Sequence, residues 1–363
     1  MRLFQNFGFY PGYMPRLNAL SAGCRTFLER RDVFLADRYS ACHILQPVLQ
    51  GDINAFFTNG DDKTLQRLWA HENGMRADTS LETILLAQIE QHRAEVFYNI
   101  DPMRYGNAFI GRLPGCVKHK IAWRAAPSYG MYFGAYDRIV CNFPSILRSY
   151  EARGCRTAYF APAHDPVMDH YAANTERPID VLFVGGYSRH HRKRAEVLET
   201  VAACSPQVKV RFHLDRSRLT RLAESMVGRL LPLGNHRRPL AISTVSVDAV
   251  FGLDLYDSLS QAKIVLNGAI DMAGVDRGNM RCWEAMGCGA LMLSDEGVYP
   301  ASIVAGRDFE TYRSATNAVE KIDQILANPA ALQSMAARGR AAIANAYSKA
   351  AQWDAFVQII DCI

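Results

Sequence analysis

Short apolar runs alternate with segments of helical periodicity along almost the whole chain. Asn54–Thr58 and Glu95–Ile100 are predicted strands, and the helix between them is predicted to begin at the capping box Thr79-x-x-Glu82. Such alternation is typical of strands joined by helical crossovers, which makes the sheet parallel. The pattern therefore predicts an α/β protein with doubly wound parallel sheets, in which ligands bind at the carboxyl ends of the strands.

The chain is long enough for two domains, since its 363 residues exceed a usual single hydrophobic core. Residues 163–178 (AHDPVMDHYAANTERP) are polar, contain prolines and lack either periodicity, which indicates an interdomain connection. A second series of strands and helices begins after them at Ile179–Val184. We predict two Rossmann-like domains, 1–165 and 166–350, which face each other across a cleft.

The composition narrows the class of protein. Apolar residues at 49% and charged residues at 21% describe a soluble globular protein, and no stretch has the ~20 apolar residues of a membrane span. The first residues lack the continuous apolar core of a signal peptide. Nine scattered cysteines without a CxxC pair favour a reducing cytoplasm over a disulfide framework or structural zinc. The mild net charge of +5 does not imply nucleic acid.

The stretch GVDRGNMRCWEAMGCG, residues 274–289, lies between two apolar runs of strand length. It predicts a short helix capped by Asn279, with Arg281 and Glu284 on one side near its N-terminus. A helix N-terminus suits a phosphate, Arg281 adds a forked donor, and Glu284 can accept from two neighbouring hydroxyls such as those of a ribose. An ordinary i,i+3 surface ion pair, worth only ~0.2–0.5 kcal/mol, explains the same residues.

A second chemical signal is the Gly185-Gly186 turn after the strand Ile179–Val184. Glycines let the backbone approach a phosphate closely, and Ser188 and Arg189 could donate to it. A tight strand-to-helix connection is the competing interpretation. The turn is not the GxGxxG fingerprint, which disfavours a nicotinamide dehydrogenase.

A resemblance joins the two signals. IVLNGAIDMAGVDRGNMRCWEAMGCGALMLSDE resembles the donor-binding segment of bacterial group-1-type, family-4-like glycosyltransferases, and more narrowly their spore-maturation-type branch. DVLFVGGYSRHHRKR is similar to the opening strand and phosphate loop of their second domain. The resemblance covers about residues 60–350. It implies a GT-B fold with the acceptor mainly on the first domain, the donor on the second, and the C-terminal helix 351–363 crossing back onto the first.

The resemblance also implies residue roles. Glu284 matches the residue that holds the donor ribose, and Met280 and Arg281 match positions that meet the diphosphate. Asp276 stands where the family has a longer glutamate that contacts the donor sugar, so it departs from the pattern. The expected donor-binding residues are Gly185, Gly186, Ser188, Arg189, Asn267, Asp271, Asp276, Asn279, Met280, Arg281 and Glu284.

Catalysis would combine Arg281 and Glu284 with a base on the first domain. Donors such as Arg281 would stabilise the charge that develops on a departing nucleoside diphosphate. An inverting enzyme also needs a base, and Asp101 ends a first-domain strand, although it also suits capping ahead of Pro102. A retaining enzyme would not need that base. Asn6 and Tyr10 are expected acceptor contacts, with ordinary turn residues as the competing interpretation.

No metal or cofactor is expected. Asp61-Asp62 and Asp254-x-x-Asp257 do not form the Asp-x-Asp of metal-dependent transferases and suit turns and helix caps. The segment 216–238 has six arginines among leucines, which indicates either a solvated basic face or peripheral contact with an anionic membrane.

The sequence thus predicts a cytoplasmic glycosyltransferase for polysaccharide biosynthesis, with peripheral contact at the inner membrane face as an open alternative. It would move a sugar from a nucleotide-diphosphate sugar to a hydroxyl of a glycan, a glycolipid, or a protein or cell-surface polysaccharide precursor. Two alternatives stay open: a catalytically silent nucleotide-sugar-binding or assembly protein, and a sugar-nucleotide epimerase of similar fold.

Overall fold

The computed structural model describes residues 1–128, 130–189, 191–205, 207–268 and 273–363, apart from the side chain of residue 229. The chain divides into two compact units. Unit 1 comprises Met1–Ala163, a short stretch that ends at Asp276, and Lys349–Ile363. Unit 2 begins at His164 and ends at Ser348, apart from that short stretch.

Unit 1 is built on a six-stranded parallel sheet with the strand order β2-β1-β3-β4-β5-β6. Its central strands are apolar and buried, because helices pack on both faces of a parallel sheet. The strands are β1 (Leu3–Asn6), β2 (Ala55–Thr58), β3 (Val96–Asn99), β4 (His119–Trp123), β5 (Arg138–Cys141) and β6 (Thr157–Tyr159).

The helices of unit 1 include the C-terminal one. They are α1 (Met14–Leu20), α2 (Phe27–Ala36), α3 (Gln46–Leu49), α4 (Lys63–Glu72), α5 (Leu81–His92), α6 (Asn107–Ile110), α7 (Pro144–Glu151) and α16 (Lys349–Asp361). Phe356 on α16 is fully buried, with its ring centroid 4.8 Å from that of Tyr98 and 5.5 Å from that of Phe160. Aromatic packing of this kind fixes α16 to unit 1.

Unit 2 has a second six-stranded parallel sheet, in the order β12-β11-β10-β7-β8-β9. Its strands are β7 (Ile179–Gly186), β8 (Val210–Asp215), β9 (Ser246–Asp248), β10 (Ala262–Leu266), β11 (Leu291–Asp295) and β12 (Glu310–Tyr312). Its helices are α8 (Met168–Ala172), α9 (Arg192–Ala203), α10 (Arg218–Glu224), α11 (Leu240–Val245), α12 (Gly252–Ser260), α13 (Arg281–Gly287), α14 (Ala315–Leu326) and α15 (Pro329–Ala346).

Two parallel sheets with flanking helices confirm the predicted fold class. Two helix starts differ from the sequence prediction. The side chain of Ser80, not Thr79, caps α5 by accepting the Thr83 N–H at 3.1 Å. Helix α13 starts after Met280 and has no side-chain cap. The capping-box pattern is short, so a neighbouring serine can take the cap position at equal local cost.

Each sheet has a point where the winding of the chain reverses. In unit 1 this switch point lies between β1 and β3, and in unit 2 it lies between β7 and β10. The crevice outside the carboxyl ends of two such strands is where open α/β sheets bind ligands. The two places to search for a site are therefore the loops after β1 and β3 and the loops after β7 and β10.

Candidate functional site

The switch point of unit 2 is flanked by a glycine turn and by the segment from Asn267. Strand β7 ends in Gly185 and Gly186, and β10 ends at Leu266 beside it. A Cβ on Gly185 would lie 2.7 Å from a guanidinium nitrogen of Arg194, closer than real Cβ atoms approach. A Cβ on Gly186 would have no described atom within 4 Å. A side chain at position 185 would therefore displace the Arg194 guanidinium from its place beside the turn.

Arg194 reaches this turn from the first turn of α9. Its guanidinium carbon lies 4.9 Å from the ring centroid of Phe183, and its Nε is buried with no hydrogen-bond partner among the described residues. Burial lowers the pKa of Arg194, and the nearby positive charge of Arg281 lowers it further. The sequence did not single out Arg194 from the basic string of residues 189–194, because only the tertiary structure shows which of these side chains lies beside the glycines.

Arg281 and Glu284 form a close pair on α13. An Arg281 guanidinium nitrogen donates to Glu284 Oε2 at 2.6 Å, and the side chains are 15% and 2% exposed. Burial raises the pKa of Glu284, and Arg281 opposes that rise. The interpretation of an exposed surface pair is wrong, because Glu284 is buried and Arg281 is mostly buried. Burying the two charges costs desolvation energy that a surface ion pair avoids.

The Nε of Arg281 is also buried without a partner among the described residues. Leaving a buried donor unsatisfied costs about 1–3 kcal/mol, so a native structure has a reason for each such group. Arg194 and Arg281 supply two such donors, and each carries a positive charge. Arg194 lies beside Gly185, and Arg281 is near enough to lower the pKa of Arg194. A ligand with adjacent anionic groups would satisfy both guanidinium groups.

Arg189 and Ser188, predicted to donate to the phosphate, follow β7 directly. Arg189 is exposed and donates to the backbone oxygens of Asn235 at 3.2 Å and Arg237 at 2.9 Å. The carbonyl oxygen of Ser188 accepts from the N–H of His191 at 3.1 Å. In this structure Arg189 therefore holds the segment around residues 235–237, and Arg194 is the guanidinium beside the glycine turn.

Asn267 and Asn279 form a reciprocal pair of side-chain amides. Asn267 Nδ2 donates to Asn279 Oδ1 at 3.0 Å, and Asn279 Nδ2 donates to Asn267 Oδ1 at 2.9 Å. Asn267 also donates to Ser294 Oγ at 3.1 Å, and its backbone oxygen accepts from Tyr312 at 2.8 Å. The prediction of Asn279 as a helix cap is wrong, because its oxygen serves this pair and the thiol of Cys282.

The start of α13 offers fewer N–H groups than the sequence implied. The N–H of Cys282 donates to the carbonyl of Asn279, and those of Trp283 and Glu284 donate to Met280. An anion at this position must therefore be bound mainly by side chains, with the amides of Met280 and Arg281 as the remaining backbone donors. The guanidinium groups matter more than the helix terminus.

Asp276, expected near the donor sugar, is buried in unit 1. Its Oδ2 accepts the backbone N–H of Ser145 at 2.5 Å, in the first turn of α7, and Ser145 Oγ donates to the carbonyl of Ala273 at 2.8 Å. A carboxylate at a helix N-terminus is stabilised by the helix dipole. Asp276 thus anchors the loop to α7, and the other expected residue of this loop, Asp271, lies outside the described residues.

The expected acceptor residues of unit 1 have unequal surroundings. Asn6 is fully buried, donates to Asn99 Oδ1 at 2.8 Å and accepts the N–H of Gly60 at 2.9 Å, so it ties three strand ends together. Tyr10 is 74% exposed. Asp101 lies at the switch point, where a Cβ on Gly8 would come within 3.1 Å of its Oδ2.

Asp101 also caps its own turn, as its competing interpretation predicted. It accepts the N–H of Arg104 at 3.3 Å, and its Oδ2 lies 3.5 Å from Arg104 Nε. Burial raises the pKa of Asp101, while the N–H and the charge of Arg104 oppose the rise. The net effect is that the pKa of Asp101 lies above the usual value of an aspartate.

Asp61, interpreted from sequence as a turn residue, has the more perturbed carboxyl. Burial raises its pKa to about 6; Arg104 opposes the rise, and Asp101 adds to it. Its Oδ1 is buried without a partner among the described residues. Asp62 behaves as expected: it caps α4 by accepting from Thr64 and Leu65, and it forms a buried pair with Arg30 at 2.6 Å. The different surroundings of Asp61 and Asp62 are visible only in the tertiary structure.

Within the described ranges, no three His, Cys, Asp or Glu side chains are grouped so that they could hold a metal ion. In the same part of the chain, no helix is both long and apolar enough to cross a membrane.

Known proteins resemble this chain in its fold and in part of its sequence. Residues 187–358 match a family model described as glycosyl transferase-like. HepE of Anabaena, solved in complex with UDP-glucose, matches with a TM-score of 0.58 and 11% identity over 99% of both chains. Sucrose-phosphate synthase of Thermosynechococcus elongatus matches with 0.51 and 10% over 100% of this chain and 99% of that one. No curated protein sequence matches significantly.

A glycosyltransferase from Rickettsia africae also matches, with a TM-score of 0.52 and 10% identity over 98% of this chain and 97% of that one. These likenesses confirm the GT-B fold. The glycosyl transferase-like match of residues 187–358, together with the GT-B fold, supports a glycosyltransferase, as the sequence predicted.

Proposed function

We propose that the protein transfers a sugar from a nucleotide-diphosphate sugar to an acceptor hydroxyl, with the donor bound at the switch point of unit 2. The observation that carries the proposal is the pair of guanidinium groups, Arg194 and Arg281, whose Nε atoms are buried without a partner among the described residues. A diphosphate would satisfy both. HepE, of similar fold, was solved with UDP and with UDP-glucose, which supports the same class of donor.

The chemistry follows from where charge develops. As the bond between the anomeric carbon and the diphosphate breaks, the bond electrons stay on the phosphate oxygen, and Arg194 and Arg281 would stabilise that charge. Gly185 and Gly186 would let the backbone approach the phosphates, with Ser188 nearby. Glu284 would accept from the ribose hydroxyls while Arg281 holds its carboxylate in place.

Further donor contacts are proposed from the sequence positions alone. Met280 would meet the diphosphate through its backbone, Asp271 would lie near the sugar, and Asp276 would act through the position of its loop. Asn267 and Asn279 would orient the segment before α13 through their amide pair. We also propose that the protein belongs to the spore-maturation-type branch. Its acceptor would be a glycan, a glycolipid or a precursor, and it would work at the inner membrane face.

A panel of nucleotide sugars tests the proposal. We expect one UDP-, GDP-, ADP- or dTDP-sugar to raise the melting temperature of the protein, and transfer from it to proceed unchanged in the presence of a chelator. Loss of transfer with the chelator would refute metal independence. Stabilisation without transfer or slow donor hydrolysis would favour the silent binding protein, and interconversion of the sugar without an acceptor would favour the epimerase.

On the acceptor side, we propose that the carboxylates of Asp61 and Asp101 are the candidates for a base. A base acts when deprotonated, and general-base catalysis is most effective with a pKa near the working pH. Asp101 was the sequence candidate, but Asp61 has the higher proton affinity, with a pKa of about 6, and an oxygen without a partner among the described residues. Asn6 would position both loops, and Tyr10 would contact the acceptor from the surface.

Replacing Asp61 by asparagine should lower kcat about 100-fold or more and remove the acid limb of the pH profile near pH 6. Replacing Asp101 by asparagine should shift that limb to lower pH, because its negative charge contributes to the raised pKa of Asp61. Steady-state rates between pH 5 and 8 would measure both. If both variants keep activity within about threefold, no base is used, as in a retaining transferase.

A further inference from the structure

The segment 216–240 of unit 2 folds on itself into a small lobe, which we call the arginine lobe. Arg237 donates to the backbone oxygens of Ala223 at 3.0 Å, Gly228 at 2.7 Å and Leu231 at 3.1 Å. Arg238 forms a bidentate ion pair with Glu224, in which its Nε donates to Oε1 at 2.7 Å and a terminal guanidinium nitrogen donates to Oε2 at 2.8 Å. Hydrogen bonds from two arginine side chains thus hold the described part of the lobe together.

The arginine lobe presents apolar side chains to solvent. Seven of the twenty large apolar side chains that are exposed among the described residues lie in it: Leu219, Leu222, Met226, Val227, Leu230, Leu231 and Leu240. Leu230 is 89% exposed and Met226 80%. Single exposed apolar residues are normal on a protein surface, but a concentration of them marks an interaction site.

The same lobe is rich in positive charge. It contains six arginines and one glutamate, Glu224, a formal charge of +5 that equals the net charge of the whole protein. Arg237, Arg238 and Glu224 are used inside the lobe. Arg218 and Arg221 are exposed and form no ion pair among the described residues.

We propose that the arginine lobe docks on an anionic lipid bilayer, with Met226, Val227 and Leu230 entering the interface and Arg218 and Arg221 meeting the headgroups. Apolar side chains beside clustered arginines match the two sources of peripheral membrane affinity, buried apolar area and attraction to anionic lipid. A protein partner would need an acidic surface beside an apolar one to match the lobe, whereas an anionic bilayer offers both over its whole surface.

Docking through this lobe would bring unit 2 to the membrane, where it could meet an acceptor of the lipid-linked class. The inference does not depend on the donor site, since none of its residues is placed at the switch point. Failure of one therefore leaves the other standing. The sequence left a solvated basic face and a membrane contact open for these residues, and the exposed apolar side chains favour the contact.

Sedimentation with vesicles tests the docking. We expect the full chain to bind vesicles of phosphatidylglycerol mixed with phosphatidylcholine about tenfold or more tightly than pure phosphatidylcholine, with the difference falling as salt rises. Replacing Arg218 and Arg221 by serine should remove about tenfold of that affinity. The matched control replaces Arg148 and Arg156, two exposed arginines of unit 1, by serine and should leave binding within about twofold.

The apolar part is tested by Leu230→Ser, which should weaken vesicle binding about fivefold or more. Its matched control is Ile53→Ser, since Ile53 is 87% exposed in unit 1. Each variant is also tested for thermal stabilisation by UDP, GDP and ADP, which should match the wild type and shows that unit 2 is folded. Equal binding to both vesicle types would overturn the proposal.

Two other results would contradict membrane docking. If the control variants lose as much vesicle binding as the lobe variants, the attraction comes from overall charge. If the wild type instead forms a concentration-dependent dimer that Leu230→Ser abolishes, without binding vesicles, the lobe is an interface between two copies of the chain.

Discussion

Replacing Arg194 by methionine is expected to lower kcat/KM at least about 100-fold. Removing one preorganised donor from a developing negative charge typically costs about 2.7–4 kcal/mol, or 10²–10³ in rate. Methionine keeps the apolar contact with Phe183, over which the guanidinium lies, so the fold of the turn should survive. Steady-state kinetics with the donor identified by the panel would measure the loss, and the melting temperature would confirm folding.

The matched control is Arg189→Met, five positions earlier in the same basic string. Arg189 donates to two backbone carbonyls around residues 235–237, so we expect kcat/KM to change by less than about threefold. A larger loss for Arg189→Met than for Arg194→Met would reverse the assignment and return the phosphate contact to the residue favoured by sequence.

Replacing Glu284 by glutamine is expected to weaken donor binding about 10- to 100-fold. Hydrogen bonds to a charged group contribute about 1.5–3 kcal/mol, and glutamine offers one acceptor oxygen to two hydroxyls. The amide keeps the shape of the buried side chain, whereas alanine would leave Arg281 without its partner and cost about 3–5 kcal/mol of stability. Titration calorimetry with the nucleoside diphosphate and the complete donor would measure the loss.

Asp180→Asn controls for the loss of an acidic residue from the same sheet. Asp180 pairs with Lys263 at 2.6 Å, at the starts of β7 and β10, which is the opposite edge of the sheet from the glycine turn. We expect donor affinity within about twofold of the wild type, with at most a small loss of stability. Equal losses for the two variants would mean that Glu284 acts only through the stability of unit 2.

Much of the architecture could be predicted from the sequence. Period and turn residues are local properties, so the strand Ile179–Val184 and the glycines after it were found within two residues. The segment before Glu284 was correctly placed between two buried strands. The helix caps were predicted less well. Ser80 caps α5 where Thr79 was predicted, and the side chain of Asn279 pairs with Asn267 and does not cap α13. Polar side chains compete for several close backbone partners, and packing decides among them.

The sequence by itself determined the alternation of strands and helices, the glycine turn at residues 185–186 and the Arg281–Glu284 pair, because all three depend on spacing along the chain. The tertiary structure alone decided that Arg194 lies beside Gly185, that Asp276 anchors α7, and that burial raises the pKa of Asp61 to about 6. Burial and the meeting of strand ends set those properties, and both arise only when residues distant in sequence pack together.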